Sequence, residues 1–227
     1  MFRILTPAFV LLSLLISGSI AAERPSPTRW QKQMDAFAKK DSVARYQSGG
    51  IIFVGSSSIR GWDLAKWFPD LPALNRGFGG SHIADSTHYM DLLITKQKPQ
   101  IVVFYAGDND IAKGLTPDQV VSDYKAFVAA LQEKLPETRL VFVAIKPSIK
   151  RWEMYPTMKS VNERIAEIAA GDERQTYLDI ATPMLETPDG KPNGDLFVKD
   201  GLHLNAAGYE MWSSLLMPHL KLKELVP

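Results

Sequence analysis

Ile51-Ile52-Phe53-Val54-Gly55-Ser56-Ser57-Ser58 is a continuous apolar run stopped by a glycine and followed by three hydroxyls. Its first four residues show no polar alternation, so they read as a short strand buried on both faces. The same signature returns at Ile101-Val102-Val103-Phe104-Tyr105 and at Leu140-Val141-Phe142-Val143-Ala144-Ile145. Ala73-Leu74-Asn75 is a weaker strand and Tyr177-Leu178-Asp179-Ile180 a fifth. The stretches between them read as helices: Ile83 to Thr95, Pro117 to about Leu135 with Thr116 as N-cap, Met154 to Ala170, and Asn205 to Leu216. Ahead of the first strand, Arg29 to Tyr46 carries Trp30, Met34 and Phe37 at helical spacing and is expected to pack on the outside of the domain. Buried strands alternating with helices specify an α/β fold, a five-stranded parallel sheet covered on both faces.

The composition narrows the classes. The chain has 227 residues, 45% hydrophobic and 22% charged, enough for one domain with a substantial core. It has no cysteine, which excludes disulfides, thiolate zinc sites and cysteine nucleophiles. A net charge of +1 speaks against a nucleic-acid partner, which calls for a basic stripe. Residues 1–21 read as a cleaved export signal, with Arg3, an apolar run from Ala8 to Ile16, and small residues at Ser19 and Ala21. The apolar run is short for a transmembrane span, so the expected mature protein is residues 22–227, one domain, exported and without a membrane segment. Removing Arg3 with the signal leaves 25 basic and 25 acidic residues, a balance that argues against steering by overall charge.

In an open parallel sheet, ligands bind beyond the carboxyl ends of the strands. Gly55–Ser58 follows the first strand, Gly77–Gly80 of the block Asn75-Arg76-Gly77-Phe78-Gly79-Gly80 the second, and Gly107-Asp108-Asn109-Asp110 the third. Ser56, Ser57 and Ser58 are all candidate nucleophiles, and spacing alone does not choose among them. Each would need a base to take its proton. Of four histidines, His203 has Asp200 three residues before it, close enough for the carboxylate to orient the ring. Asp85 and His88 share that spacing but fall within an expected helix, and are read as a surface contact. Glycines of the second block leave backbone amides accessible, and the Asn109 carboxamide is a neutral donor suited to an oxyanion. Asp108 and Asp110 have no neighbouring cluster that would make a metal site. The segment from Pro183 to Asp200 is long for a loop, and such loops are often functional.

These four blocks resemble those of the SGNH hydrolases, also called the GDSL esterase/lipase family, and most of all its platelet-activating-factor-acetylhydrolase-like and carbohydrate-acetylesterase-like members. The resemblance spans residues 55 to 203 and implies a three-layer α/β/α sandwich with a flavodoxin-like sheet. It selects Ser57 as nucleophile, His203 as general base and Asp200 as its orienting acid. It implies an oxyanion hole made of the Ser57 amide, the Gly80 amide and the Asn109 side chain. The departure is Ser56, where the family usually has aspartate. Acyl transfer through Ser57 follows, with no metal or organic cofactor needed.

The pocket is harder to read. Arg60, Trp62 and His82 follow the first two blocks closely enough to line it. The short chain has no apolar insertion to serve as a lid, which favours small, soluble esters, acetyl esters of sugars among them. Two other readings stand beside this one: a lysophospholipase or thioesterase with the same triad, and a non-catalytic binding protein on the same fold.

Overall fold

The computed structural model describes residues 22–44, 46 and 48–223. The expected export signal, residues 1–21, lies outside the described residues. Five strands are present: β1 (Ile51–Gly55), β2 (Ala73–Gly77), β3 (Ile101–Tyr105), β4 (Arg139–Val143) and β5 (Gln175–Leu178). The helices in chain order are α1 (Gln31–Val43), α2 (Ser57–Arg60), α3 (Leu64–Trp67), α4 (Ile83–His88), α5 (Met90–Leu93), α6 (Asp108–Ala112), α7 (Pro117–Lys134), α8 (Tyr155–Ala170), α9 (Ala181–Met184) and α10 (Ala206–Leu216). The strand order is β2-β1-β3-β4-β5, and every pairing is parallel. This is a three-layer α/β/α sandwich.

Alternation along the strands builds two cores. Ile52, Val54, Val102, Phe104, Leu140 and Phe142 pack one face against residues of α4, α5, α7 and α8. Ile51, Phe53, Ile101, Val103, Tyr105, Val141 and Val143 pack the other against residues of α2, α3, α9 and α10. Phe104 stacks on Phe127 of α7 at 4.0 Å between ring centres. On the opposite face Trp62 lies edge-on to both Phe53 and Trp212. Each such side chain contributes about 1.5–3 kcal/mol on burial, and both faces of the sheet carry them. Among the described residues no helix is long and apolar enough to cross a membrane.

The longest helix, α7, starts as its sequence requires. Thr116 caps α7 by accepting the Gln119 amide at 3.3 Å, and Gln119 returns the bond to the Thr116 amide at 2.9 Å, a capping box ahead of Pro117. The helix expected from Ile83 to Thr95 is instead α4, α5 and a 3₁₀ turn at Thr95–Gln97. The break falls at Tyr89, which leaves helical geometry (φ −100°, ψ 18°) and donates its hydroxyl to the Pro27 carbonyl at 3.1 Å. Asp85 and His88 are not a surface contact. Asp85 is buried, where it accepts from Arg29 at 2.5 Å, the Trp30 indole at 3.0 Å and the His82 amide at 2.8 Å. His88 lies edge-on to Tyr89 instead.

The strand register places the site. Gly55 is level with Gly77 on one side and Tyr105 on the other. The chain therefore leaves three adjacent strands at one height, at the β1/β3 junction where the strand order reverses.

Candidate active site

The turn after β1 can be made only by glycine. Gly55 has φ +132°, and a Cβ there would sit 1.9 Å from the Tyr105 carbonyl oxygen. The Ser56 amide then donates to that same oxygen at 3.0 Å, and α2 starts at Ser57. The three serines consequently face different ways. Ser56 is buried, and its hydroxyl has no hydrogen-bond partner among the described residues. Ser58 is buried against Lys146, whose ammonium donates to its hydroxyl at 3.2 Å. Ser57 alone is partly exposed, and its Oγ lies 3.1 Å from His203 Nε2.

His203 is oriented by Asp200. Oδ2 of the carboxylate is 2.6 Å from Nδ1, which makes Nδ1 the protonated nitrogen and leaves Nε2 free to accept from Ser57. Oδ1 accepts the amides of Leu202 at 2.8 Å and His203 at 2.9 Å around Gly201, whose φ is +64°. The bond from the imidazole, then those from the two amides, hold Asp200 well below the usual carboxylate range, so it is charged at neutral pH.

The second block closes over α2. A Cβ on Gly77 would lie 2.2 Å from the Arg60 backbone nitrogen, and one on Gly79 2.7 Å from the Arg60 guanidinium. Arg60 thus sits at the rim of the site, exposed, with its guanidinium over Gly79. Gly80 has φ +81° and is backed by the Trp30 indole, which also meets Phe78 edge-on at 5.6 Å. Neither the Ser57 nor the Gly80 amide has an acceptor among the described residues.

Asn109 is the second residue of α6, just past Gly107, where φ is +113° and a Cβ would clash with Ile145 at 2.5 Å. Its carboxamide is held at both ends. Nδ2 donates to the Ser81 carbonyl at 3.1 Å, and Oδ1 accepts from Nη1 and Nη2 of Arg151, both at 3.2 Å. A guanidinium only donates and a carbonyl only accepts, so the two contacts agree on which end is the NH₂. One Nδ2 hydrogen remains free to point at a ligand.

Beneath Asn109 lies a buried group of charges. Asp108 is 3.1 Å from Arg151 and 3.2 Å from Lys146, and Lys146 also reaches the Tyr105 hydroxyl at 3.0 Å. Burial alone would raise the Asp108 pKa, but Lys146 and Arg151 outweigh it and hold the group below its ordinary value. Burial pulls Lys146 down, with Asp108 opposing. Asp110 and His82 approach to 3.9 Å without forming an ion pair at neutral pH. Burial pushes Asp110 up to about 8 and, with help from Arg29, pushes His82 down to about 4, so both are neutral.

Of the expected pocket residues, Arg60 is at the rim, whereas Trp62 and His82 are buried. Trp62 belongs to the core, with its indole N–H donated to Ser213 at 2.9 Å. Arg151, Lys146 and Trp30 were not legible as parts of the site, because their partners lie far away in sequence. Among the described residues no three His, Asp or Glu side chains gather as a metal site.

A model of the GDSL-like lipase/acylhydrolase family matches residues 41–211. The chain belongs to this family. It is a carboxylic ester hydrolase. The esterase is 31% identical to the platelet-activating factor acetylhydrolase IB subunit alpha1 of Bos taurus over 209 residues, which span 83% of this chain and 84% of that one. It is 30% identical to the Homo sapiens protein of the same name over 205 residues, with the same coverage. Among solved structures, a GDSL-like lipase from Bacteroides thetaiotaomicron superposes with a TM-score of 0.73 at 18% identity, covering 82% of this chain and 96% of that one. A catalytic mutant of an acetylxylan esterase from Geobacillus stearothermophilus gives 0.61 at 15% identity, covering 79% and 98%. At such identities the structural matches speak for the fold alone.

Proposed function

We propose that the esterase removes short acyl groups, acetyl foremost, from small or carbohydrate esters through an acyl-enzyme on Ser57. The observation that carries this reading is the unbroken hydrogen-bonded chain Ser57–His203–Asp200 at 3.1 and 2.6 Å. Ser57 Oγ attacks the ester carbonyl while His203 Nε2 takes its proton, and charged Asp200 stabilises the imidazolium. The developing oxyanion is met by the Ser57 and Gly80 amides and by the free Nδ2 hydrogen of Asn109. Arg151 is a positioning residue, fixing the Asn109 amide with its NH₂ toward the site. His203 then gives its proton to the departing alcohol. Water, deprotonated by His203, attacks the acyl carbonyl and releases the acid with Ser57 restored.

The acetyl preference is supported by the names of the curated relatives, which are acetylhydrolases. Residues 1–21 are read as an export signal, which places the mature enzyme outside the cytoplasm. The test is hydrolysis of p-nitrophenyl esters from acetate to palmitate, with Ser57→Ala beside the wild type and Ser56→Ala as control. Activity should peak at acetate and fall by roughly 10⁴–10⁶-fold in Ser57→Ala. A maximum at long chains would move the reading to a lipase or thioesterase. Normal turnover by Ser57→Ala would end the assignment of the nucleophile.

A further inference from the structure

His203 delivers its proton to the leaving alcohol, so the alcohol half of the ester must lie where His203 can reach it. A cleft of about 360 Å³ is walled on one side by Ile149 and Trp152 and on the other by residues 187–194, part of the long segment that ends in Asp200 and His203. The first wall is tied to the site by direct contacts, and the second runs on in sequence to Asp200 and His203. The Lys150 amide donates to the Gly201 carbonyl at 3.0 Å, inside the Asp200–His203 turn. Ile149 packs on Gly201 so closely that a Cβ there would come within 3.1 Å of it. Arg151, between Lys150 and Trp152, is the residue that grips Asn109.

We propose that this cleft is the subsite for the alcohol half of the substrate, and that the alcohol it takes is a pyranose. The inference rests on the triad reading above and adds the leaving group to it. A pyranose offers an apolar face of C–H groups and a rim of hydroxyls that both donate and accept. Trp152 supplies an aromatic surface: it lines the cleft, whereas Tyr155, which stacks on its ring at 5.2 Å and 14°, does not. Ile149, 49% exposed, extends that apolar floor. The rim is polar. Asn193 uses only its Oδ1, accepting the Asp195 amide at 3.0 Å, which leaves its NH₂ without a partner among the described residues. Lys191 and Asp189 stand 3.6 Å apart, both well exposed, one a donor and the other an acceptor. An alkyl chain or acylglycerol in this cleft would strip water from those groups and return no hydrogen bond.

The test compares wild type, Trp152→Ala and Asn193→Asp on methyl xylopyranoside monoacetate and on ethyl acetate, whose ethanol is too short to lie in the cleft. Asn193→Asp keeps the acceptor for the Asp195 amide and removes the NH₂. The ratio of kcat/KM for the sugar ester to that for ethyl acetate should fall about tenfold in each variant. An unchanged ratio in both overturns the subsite while leaving the triad standing. Separately, Ser57→Ala is titrated with unacetylated methyl xylopyranoside. Saturable quenching of tryptophan fluorescence that disappears when Trp152→Phe is added supports the subsite, and no saturable quenching refutes it. If the wild type hydrolyses neither ester, the reading of the triad fails and this titration alone decides the cleft.

Discussion

Replacing Arg151 with methionine should slow the chemical step by roughly 10- to 100-fold and leave KM within about twofold. The lower figure comes from the bonds that are lost. Two guanidinium contacts to Asn109 Oδ1, each at 3.2 Å, are longer than the best charge-assisted bonds, so together they merit the low end of the usual range, about 1.5 kcal/mol, or about tenfold. The ceiling is set by what one whole oxyanion donor is worth, about 10²–10³-fold, since at worst the amide turns and Nδ2 leaves the site. The assay is steady-state hydrolysis of p-nitrophenyl acetate by Arg151→Met, Asn109→Ala and the double variant, with thermal melting to confirm that each is folded. If Arg151 acts through Asn109, the double variant is no slower than Asn109→Ala alone. Arg151→Lys should fall between wild type and Arg151→Met, because it keeps a charge beside Asp108 but loses the planar fork. Losses that multiply in the double variant, or a loss confined to KM, would refute the positioning role.

Two further outcomes follow from the charges. Asp200→Asn keeps an acceptor for the Leu202 and His203 amides but removes the charge facing Nδ1. It should lower kcat by roughly 10²–10⁴-fold, the upper figure being that of a fully buried triad; with Asp200 40% exposed, water replaces part of its effect, and a loss under about threefold would remove Asp200 from the mechanism. Asp110 tests linkage: burial raises its pKa to about 8, so its stabilising contribution is complete below the unfolded value of about 4 and is lost as pH rises toward about 8. Asp110→Asn keeps the acceptor for the Ile83 amide and cannot ionise, so its melting temperature should decline less than that of wild type between about pH 5 and 8. Equal slopes would show that Asp110 does not titrate there.

The sheet was legible because buried parallel strands carry continuous apolar runs, and Ile51–Val54 and Ile101–Tyr105 have no other use. Site blocks at the strand ends followed from that. The choice among Ser56, Ser57 and Ser58 did not, since it depends on how the chain turns at Gly55, which is fixed by the Tyr105 carbonyl of a strand that comes 50 residues later in sequence. Trp62 looked like a rim residue from its nearness to Ser57, yet its partner is Ser213, 151 residues on. Arg151 and Lys146 were silent for the same reason, their partners Asn109 and Asp108 being 42 and 38 residues away.

Ser57, Gly80 and Asn109 leave β1, β2 and β3 directly, whereas Asp200 and His203 sit on no strand. Their turn is held by the Lys150–Gly201 bond, by Val198 donating to the His203 carbonyl at 2.9 Å, and by a single bridge between Phe197 and Leu204. The two halves of the proposed machinery therefore have unequal protection against local opening. On warming, hydrogen exchange should reach the amides around Gly201 well before those of β1 and β3. The catalyst would lose its base while its sheet was still intact, so heat inactivation would run ahead of melting and reverse on cooling.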